Sequence, residues 1–189
     1  MSFLQRGLIC FLAVPLLVLG GGCASRQEAP PQPEPVLYNW HGGGLDGPLK
    51  VVIRLSEQRA YFTIGGVPAG WTTVATGKEG HETPLGNFTI TEKIVDKRSS
   101  HYGRILDADG AVIDIDADSR KDSPPPGGTF EHAPMPYWMR LTRWGIGMHA
   151  GPIPNPGDPA SKGCIRLPKT LAPVLFARAR VGTPVKIVH

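Results

Sequence analysis

The residues best equipped for chemistry lie near the C-terminal end: Gly147-Met148-His149-Ala150-Gly151, a Pro- and Gly-rich loop, then Ser161-Lys162-Gly163-Cys164-Ile165-Arg166-Leu167. They supply a base, a nucleophile and two cations in close order. A cysteine with an ordinary pKa of about 8.5 is only a few per cent thiolate at neutral pH, so acyl transfer needs a neighbouring imidazole to take the proton. His149 is the nearest candidate in the sequence. The loop between them holds Pro152, Pro154, Pro156 and Pro159 with turn residues, and can bring the segment of Cys164 back toward His149. Gly163 lets backbone approach a substrate carbonyl, and the Cys164 amide is placed to donate to an oxyanion. Lys162 and Arg166 add positive charge that favours thiolate and suits a substrate carboxylate. A buried structural cysteine and a structural histidine are the plainer alternatives. A metal held by His149 and Cys164 is not expected, because no CxxC, HxH or HExxH spacing supplies further ligands.

These groups need a scaffold, and the sequence reads as mostly β. Short apolar or alternating runs bounded by turn residues predict strands over residues 51–55, 59–64, 71–76, 87–91, 145–149 and 185–188. One helix is expected over 168–179, opening on Pro168 and bent or delayed by Pro173. The folded domain is expected over 49–189. Residues 97–136 form an insertion too long for a plain connection, with the character of a lid or a disordered loop. Within it Asp114, Asp116 and Asp118 alternate as at the start of a calcium loop, but Ser119 and Pro125 stand where that loop needs glycine and glutamate. A solvated strand face is the better reading of these acids.

A chain of 189 residues with net charge +4 and no dense run of Lys and Arg gives no nucleic-acid footprint. Residues 1–22 have the form of a signal peptide: Arg6, then an apolar stretch over 9–19 too short to span a bilayer comfortably. Gly20-Gly21-Gly22-Cys23 resembles the lipobox of bacterial lipoproteins, which implies cleavage before Cys23 and lipid on that residue. Gly20 occupies the place of the usual branched residue, so ordinary cleavage after Gly22 or Ser25 is the alternative. Residues 23–48 are then a lipid attachment site and Pro-rich linker. On the lipoprotein reading, of the three cysteines Cys10 leaves with the leader and Cys23 carries lipid, so Cys164 is expected to be alone in an oxidising compartment.

The string Ser-x-Gly-Cys-Ile-Arg at 161–166, preceded by a His-containing strand, resembles the signature of the YkuD-type L,D-transpeptidases. Thr76-Gly77-Lys78, Thr83-Pro84-Leu85-Gly86-Asn87-Phe88 and Pro136-Tyr137-Trp138-Met139 match further segments of that family, so the resemblance covers nearly all of 49–189. It implies a mostly β catalytic domain with a short C-terminal helix and a long lid insertion. On the matching positions Cys164 is the acylated nucleophile and His149 its base, oriented by the backbone carbonyl of Ala150; Gly163, Ser161 and Arg166 complete the motif. Met135, Tyr137 and Trp138 would face the donor peptide, with Trp138 equally suited to the core. Thr83 to Gly86 are expected to set a turn. Lys162 departs from the family, which usually has a second histidine there, and the glycine usual after the catalytic histidine is displaced to Gly151.

The resemblance implies that Cys164 attacks the third residue of a peptidoglycan tetrapeptide stem, expels D-alanine and passes the acyl group to an amine. The product is a 3-3 crosslink, or a protein anchor where a wall-linked lipoprotein is the acceptor. No metal or organic cofactor is called for. Acylation of the same thiol by carbapenems is also implied. With water as acceptor the enzyme is an L,D-carboxypeptidase or related wall hydrolase, and the lid is where that choice would reside. A non-catalytic wall-binding lipoprotein is the alternative from another class. Export to the cell envelope is expected, with a membrane contact through lipid at Cys23; Ala24, where an inner-membrane retention signal would have aspartate, favours the outer membrane.

Overall fold

The computed structural model describes residues 35–189. The expected signal peptide, Cys10, Cys23 and the expected tether up to residue 34 lie outside the described residues. Alternation builds the first sheet. In β2 (Leu49–Arg54) and β3 (Arg59–Ile64), Leu49, Val51, Ile53, Ala60, Phe62 and Ile64 are buried while Lys50, Arg54 and Arg59 are exposed. Gly65 and Gly66, both at positive φ, turn the chain into β4 (Val67–Thr73), the tight hairpin that two left-handed residues allow. With β1 (Tyr38–Trp40), β5 (Gly86–Thr89) and β13 (Pro184–Val188), these strands form a six-stranded sheet in the order β1-β4-β3-β2-β13-β5. β13 runs parallel to β2, setting Val185 beside Val51 and Ile187 beside Ile53.

The second sheet carries the candidate chemistry. Its strands are β6 (Glu92–Ile94), β10 (Trp138–Arg140), β11 (Gly147–Ala150) and β12 (Ile165–Leu167), in the order β12-β11-β10-β6. Met139, Met148, Ile165 and Leu167 join the inner residues of the first sheet in one apolar core, closed by Leu171, Ala172 and Leu175. The last two belong to α1 (Ala172–Arg178), shorter than the sequence suggests: Pro173 sits in its first turn, and residues 168–171 form a turn held by the Pro168 carbonyl.

Two expectations are corrected. The folded chain starts ahead of Leu49, since β1 pairs antiparallel with β4, matching Asn39 with Trp71. The 97–136 insertion is not an irregular loop: β7 (Arg98–Leu106), β8 (Val112–Asp118) and β9 (Thr129–Pro134) form a third, antiparallel sheet in the order β8-β7-β9. These strands contact one another extensively and the other sheets hardly at all. Bulges in both pairings of β7 and a largely exposed β8 break the regular apolar alternation by which strands are read.

Candidate active site

β11 and β12 are neighbouring parallel strands, with Met148 opposite Ile165, His149 opposite Arg166 and Ala150 opposite Leu167. Side chains alternate along a strand, so Met148 and Ile165 point into the core while His149, Arg166 and Cys164, just before β12, share the opposite face. The register thus gathers base, cation and nucleophile on one surface. Glycine is required beneath it: a Cβ at Gly147 would lie 2.6 Å from the Met139 carbonyl oxygen and 2.7 Å from the Trp138 ring.

His149 is 6% exposed. Its Nδ1 lies 2.8 Å from the Ala150 carbonyl oxygen, which can only accept, so the proton sits on Nδ1 and Nε2 keeps a free lone pair. Burial pushes its pKa down to about 4, with nearby Arg166 acting in the same direction and the Ala150 carbonyl opposing. Burial likewise pushes the Cys164 thiol up, against the Gly147 amide and the Arg166 charge. The Cys164 Sγ lies 3.7 Å from the Gly145 carbonyl oxygen. Both shifts favour the uncharged forms, so the resting pair is a neutral thiol with a neutral imidazole rather than thiolate and imidazolium.

The nucleophile loop is fixed from three sides. Ser161, 2% exposed, donates to the Cys164 carbonyl and accepts from the Gly163 amide at 3.1 Å. Ala75 exchanges both backbone hydrogen bonds with Arg166, and the Lys78 amide donates to the Ser161 carbonyl, so the Thr76-Gly77-Lys78 segment forms the outer rim of this sheet. Thr83, 3% exposed, does more than set a turn: its Oγ1 accepts from the Gly77 amide at 2.9 Å and donates to the Gly163 carbonyl at 2.8 Å. Gly163 has φ +106°, and a Cβ there would lie 2.8 Å from Ile146. Among the described residues the Cys164 amide has no acceptor, leaving it free toward the place of an oxyanion. Thr83→Val keeps the shape but strands the buried Gly77 amide and Gly163 carbonyl. We expect a loss of about 1–3 kcal/mol, seen as a lower urea midpoint with unchanged slope.

The remaining expected site residues divide. Arg166 lies on the reactive face, its stem packed over Gly151, where a Cβ would come within 2.9 Å of it; this accounts for glycine at 151. Among the described residues Arg166 has no carboxylate partner, and its Nη1 reaches only the Pro152 carbonyl, at 3.4 Å. Met135 is half-buried between β9 and β10. Of the two aromatic residues, Trp138 needs correction as a peptide-facing group. Trp138 is 1% exposed, its Nε1 donates to Glu92 at 3.0 Å, and its ring lies 6.2 Å from that of His149, so it walls the imidazole from within. Tyr137 packs on Phe176 of α1 with ring centroids 5.7 Å apart. Ser161 acts through the loop it holds, because no part of it is left for a ligand.

Two supporting residues escaped the sequence. Gln58 is 1% exposed with φ +48°; it donates to Thr76 Oγ1 at 2.7 Å and accepts from the Thr76 amide at 2.9 Å, anchoring the rim. Glu92 accepts from Trp138 and from Arg140, fixing the wall behind His149. A lone polar residue in a turn or strand carries no signal of burial, and only the three-dimensional partner gives it meaning.

Residues 48–187 match the model of the family described as YkuD, the L,D-transpeptidase catalytic domain. The fold is similar to that of an L,D-transpeptidase from Mycobacterium smegmatis, with 20% identity over 75% of this chain and 58% of that one and a TM-score of 0.55. It is also similar to L,D-transpeptidase 1 of Mycobacterium tuberculosis, with 22% identity over 75% of this chain and 62% of that one and a TM-score of 0.52. An Enterococcus faecium L,D-transpeptidase mutant gives 23% identity over 76% and 50% of the two chains, with a TM-score of 0.54. At these identities the likeness is one of fold, and this chain spans less than two thirds of each of these structures. No curated protein is similar enough to this chain to count as a match.

Proposed function

The chain belongs to the L,D-transpeptidase catalytic domain family, and from that premise and the geometry of its reactive face we propose that it is an exported peptidoglycan L,D-transpeptidase acting through Cys164. The observation that carries this reading is the β11–β12 register, which puts His149, Cys164 and Arg166 on one face with His149 held in the tautomer of a base.

The chemistry follows from that tautomer. His149 Nε2 takes the thiol proton as Sγ attacks the carbonyl carbon of the third stem residue, and the oxyanion forms toward the Cys164 amide. Collapse breaks the bond to D-alanine, whose nitrogen takes the proton back from His149, leaving a thioester on Cys164. An acceptor amine then attacks, His149 takes its proton, the new amide forms and the proton returns to sulfur. With the thiol raised and the histidine lowered by burial, both start uncharged, so the proton moves to Nε2 as the bond from Sγ to carbon forms and not beforehand. Arg166 is the group best placed for a substrate carboxylate. A solved relative is described in complex with imipenem, and acylation of Cys164 by carbapenems is part of the same reading.

The donor is a tetrapeptide stem and the acceptor is the side-chain amine of a second stem or of a wall-anchored lipoprotein. The protein works in the cell envelope, tethered by lipid on Cys23. The test is mass spectrometry of disaccharide-tetrapeptide incubated with the protein. A 3-3 dimer with release of D-alanine is expected. Tripeptide alone would make it a carboxypeptidase, and no product from tetrapeptide or from a lipoprotein acceptor peptide would turn the reading to a wall-binding lipoprotein without catalysis.

A further inference from the structure

Lys162 does not direct its charge at the adjacent nucleophile. Its side chain is 15% exposed and its ammonium reaches across to β8, 2.8 Å from Asp116 Oδ1 and 2.8 Å from the Asp116 carbonyl oxygen. It also lies 4.4 Å from the centre of the Tyr102 ring on β7. Lys78, on the rim that borders Ser161, approaches the other carboxylate oxygen of Asp116 at 3.5 Å. On the lid side Tyr102 is held in turn: Arg120 donates to its hydroxyl at 3.1 Å while pairing with Asp118. His81 meets the Tyr102 ring edge-on at 6.4 Å.

Among the described residues, every ion pair that joins the β7–β8–β9 sheet to the rest of the protein ends on Asp116. The strands of that sheet otherwise contact mainly one another. We propose that Lys162 and Asp116 form a latch that fastens the lid sheet to the nucleophile loop, with Tyr102 as its seat, and that the lid opens as one body when the latch is released.

The placement gives the latch a direct hold on the site. Lys162 is followed by Gly163 and Cys164, and Ser161 before it binds both of them, so the lid is tied to the segment whose amide faces the oxyanion. An ammonium donating to both a carboxylate and a carbonyl, over an aromatic face, makes a charge-assisted contact in which the lysine end is shielded while the Asp116 side chain stays 64% exposed. Lysine at 162 in place of the family's usual histidine is thereby given a role. The inference concerns the site assigned above, but its test needs no substrate, so its failure and the failure of the transpeptidase reading are distinguishable.

The experiment compares the full chain with Lys162→Met, Asp116→Asn, the double variant and Lys162→Arg. Hydrogen exchange of β7 and β8 amides is expected to quicken at least about tenfold in both single variants, while exchange in β2, β3 and β13 stays unchanged and shows that the protein is folded. The two singles share the Lys162–Asp116 pair, but Lys162→Met also removes the carbonyl bond and the Tyr102 contact while Asp116→Asn also removes the Lys78 pair, so the double variant is expected to exceed each single yet fall well short of the product of their effects, and Lys162→Arg is expected to retain most of the protection. Alkylation of Cys164 by a bulky maleimide, relative to iodoacetamide, should rise in step as the lid lifts. Unchanged β8 exchange, an unchanged reagent ratio, or effects that multiply in the double variant would overturn the latch.

Discussion

Cys164→Ala is expected to abolish acyl transfer, by a factor of at least about 10⁴, while leaving the fold intact. The thiol is half-buried and donates only a weak contact to the Gly145 carbonyl, so its loss costs little packing. Cys164→Ser is expected to be nearly as inert, which is the more telling result. A histidine held near pKa 4 is a weak base; it suffices for a thiol and falls far short of a serine hydroxyl. The check is intact-mass measurement of enzyme mixed with tetrapeptide stem: wild type accumulates a hydroxylamine-labile adduct, and neither variant does, while both unfold within about 0.5–1 kcal/mol of wild type in urea. Transfer surviving in Cys164→Ala would remove the nucleophile from this assignment altogether.

The reactive residues were legible because chemistry and local constraint coincide on a few letters. Cys164 and His149 are rare residue types in a Gly- and Pro-rich setting, and the glycines at 147, 151 and 163 each answer to a neighbour that leaves no room for a Cβ. The six-stranded sheet was legible for a different reason. One face of β2, β3 and β13 is buried and the other wet, so alternation marks them, and β3 falls on the predicted 59–64. β12, three residues inside the motif, and β1, three residues in the linker, are too short for any period to show. The lid sheet was hidden because its strands bury little apolar surface, and Ile115 on β8 is 84% exposed. What the sequence could not show at all is reciprocity: Gln58, Thr83, Glu92 and Asp116 matter through partners 18 to 80 residues away.

His149→Ala is expected to lower transfer about 10²–10⁴-fold, yet to change alkylation of Cys164 by iodoacetamide only slightly at neutral pH. The reason is the charge state of the resting pair. If imidazolium sustained a thiolate, wild-type alkylation would level off well below neutrality, and removing the histidine would collapse it. Burial instead holds the thiol above its ordinary value and the imidazole near 4, so the wild-type alkylation rate should climb with pH through 9 with no plateau between 5 and 7. Acylation by the tetrapeptide stem should persist to about pH 5, where an ordinary imidazole of pKa 6.5 would already be protonated. Stability gives an independent reading of the same group. Below about pH 6.5 the unfolded chain binds a proton at His149 that the native state refuses until about pH 4. Wild type therefore loses stability as pH falls through that window, by up to about 3 kcal/mol from this residue, and the alanine variant lacks that component. Urea midpoints of the two proteins at pH 7 and pH 4.5 should accordingly converge or cross in the variant's favour on acidification. A difference that stays constant with pH would mean that His149 titrates normally and that the neutral-pair account of the mechanism is wrong.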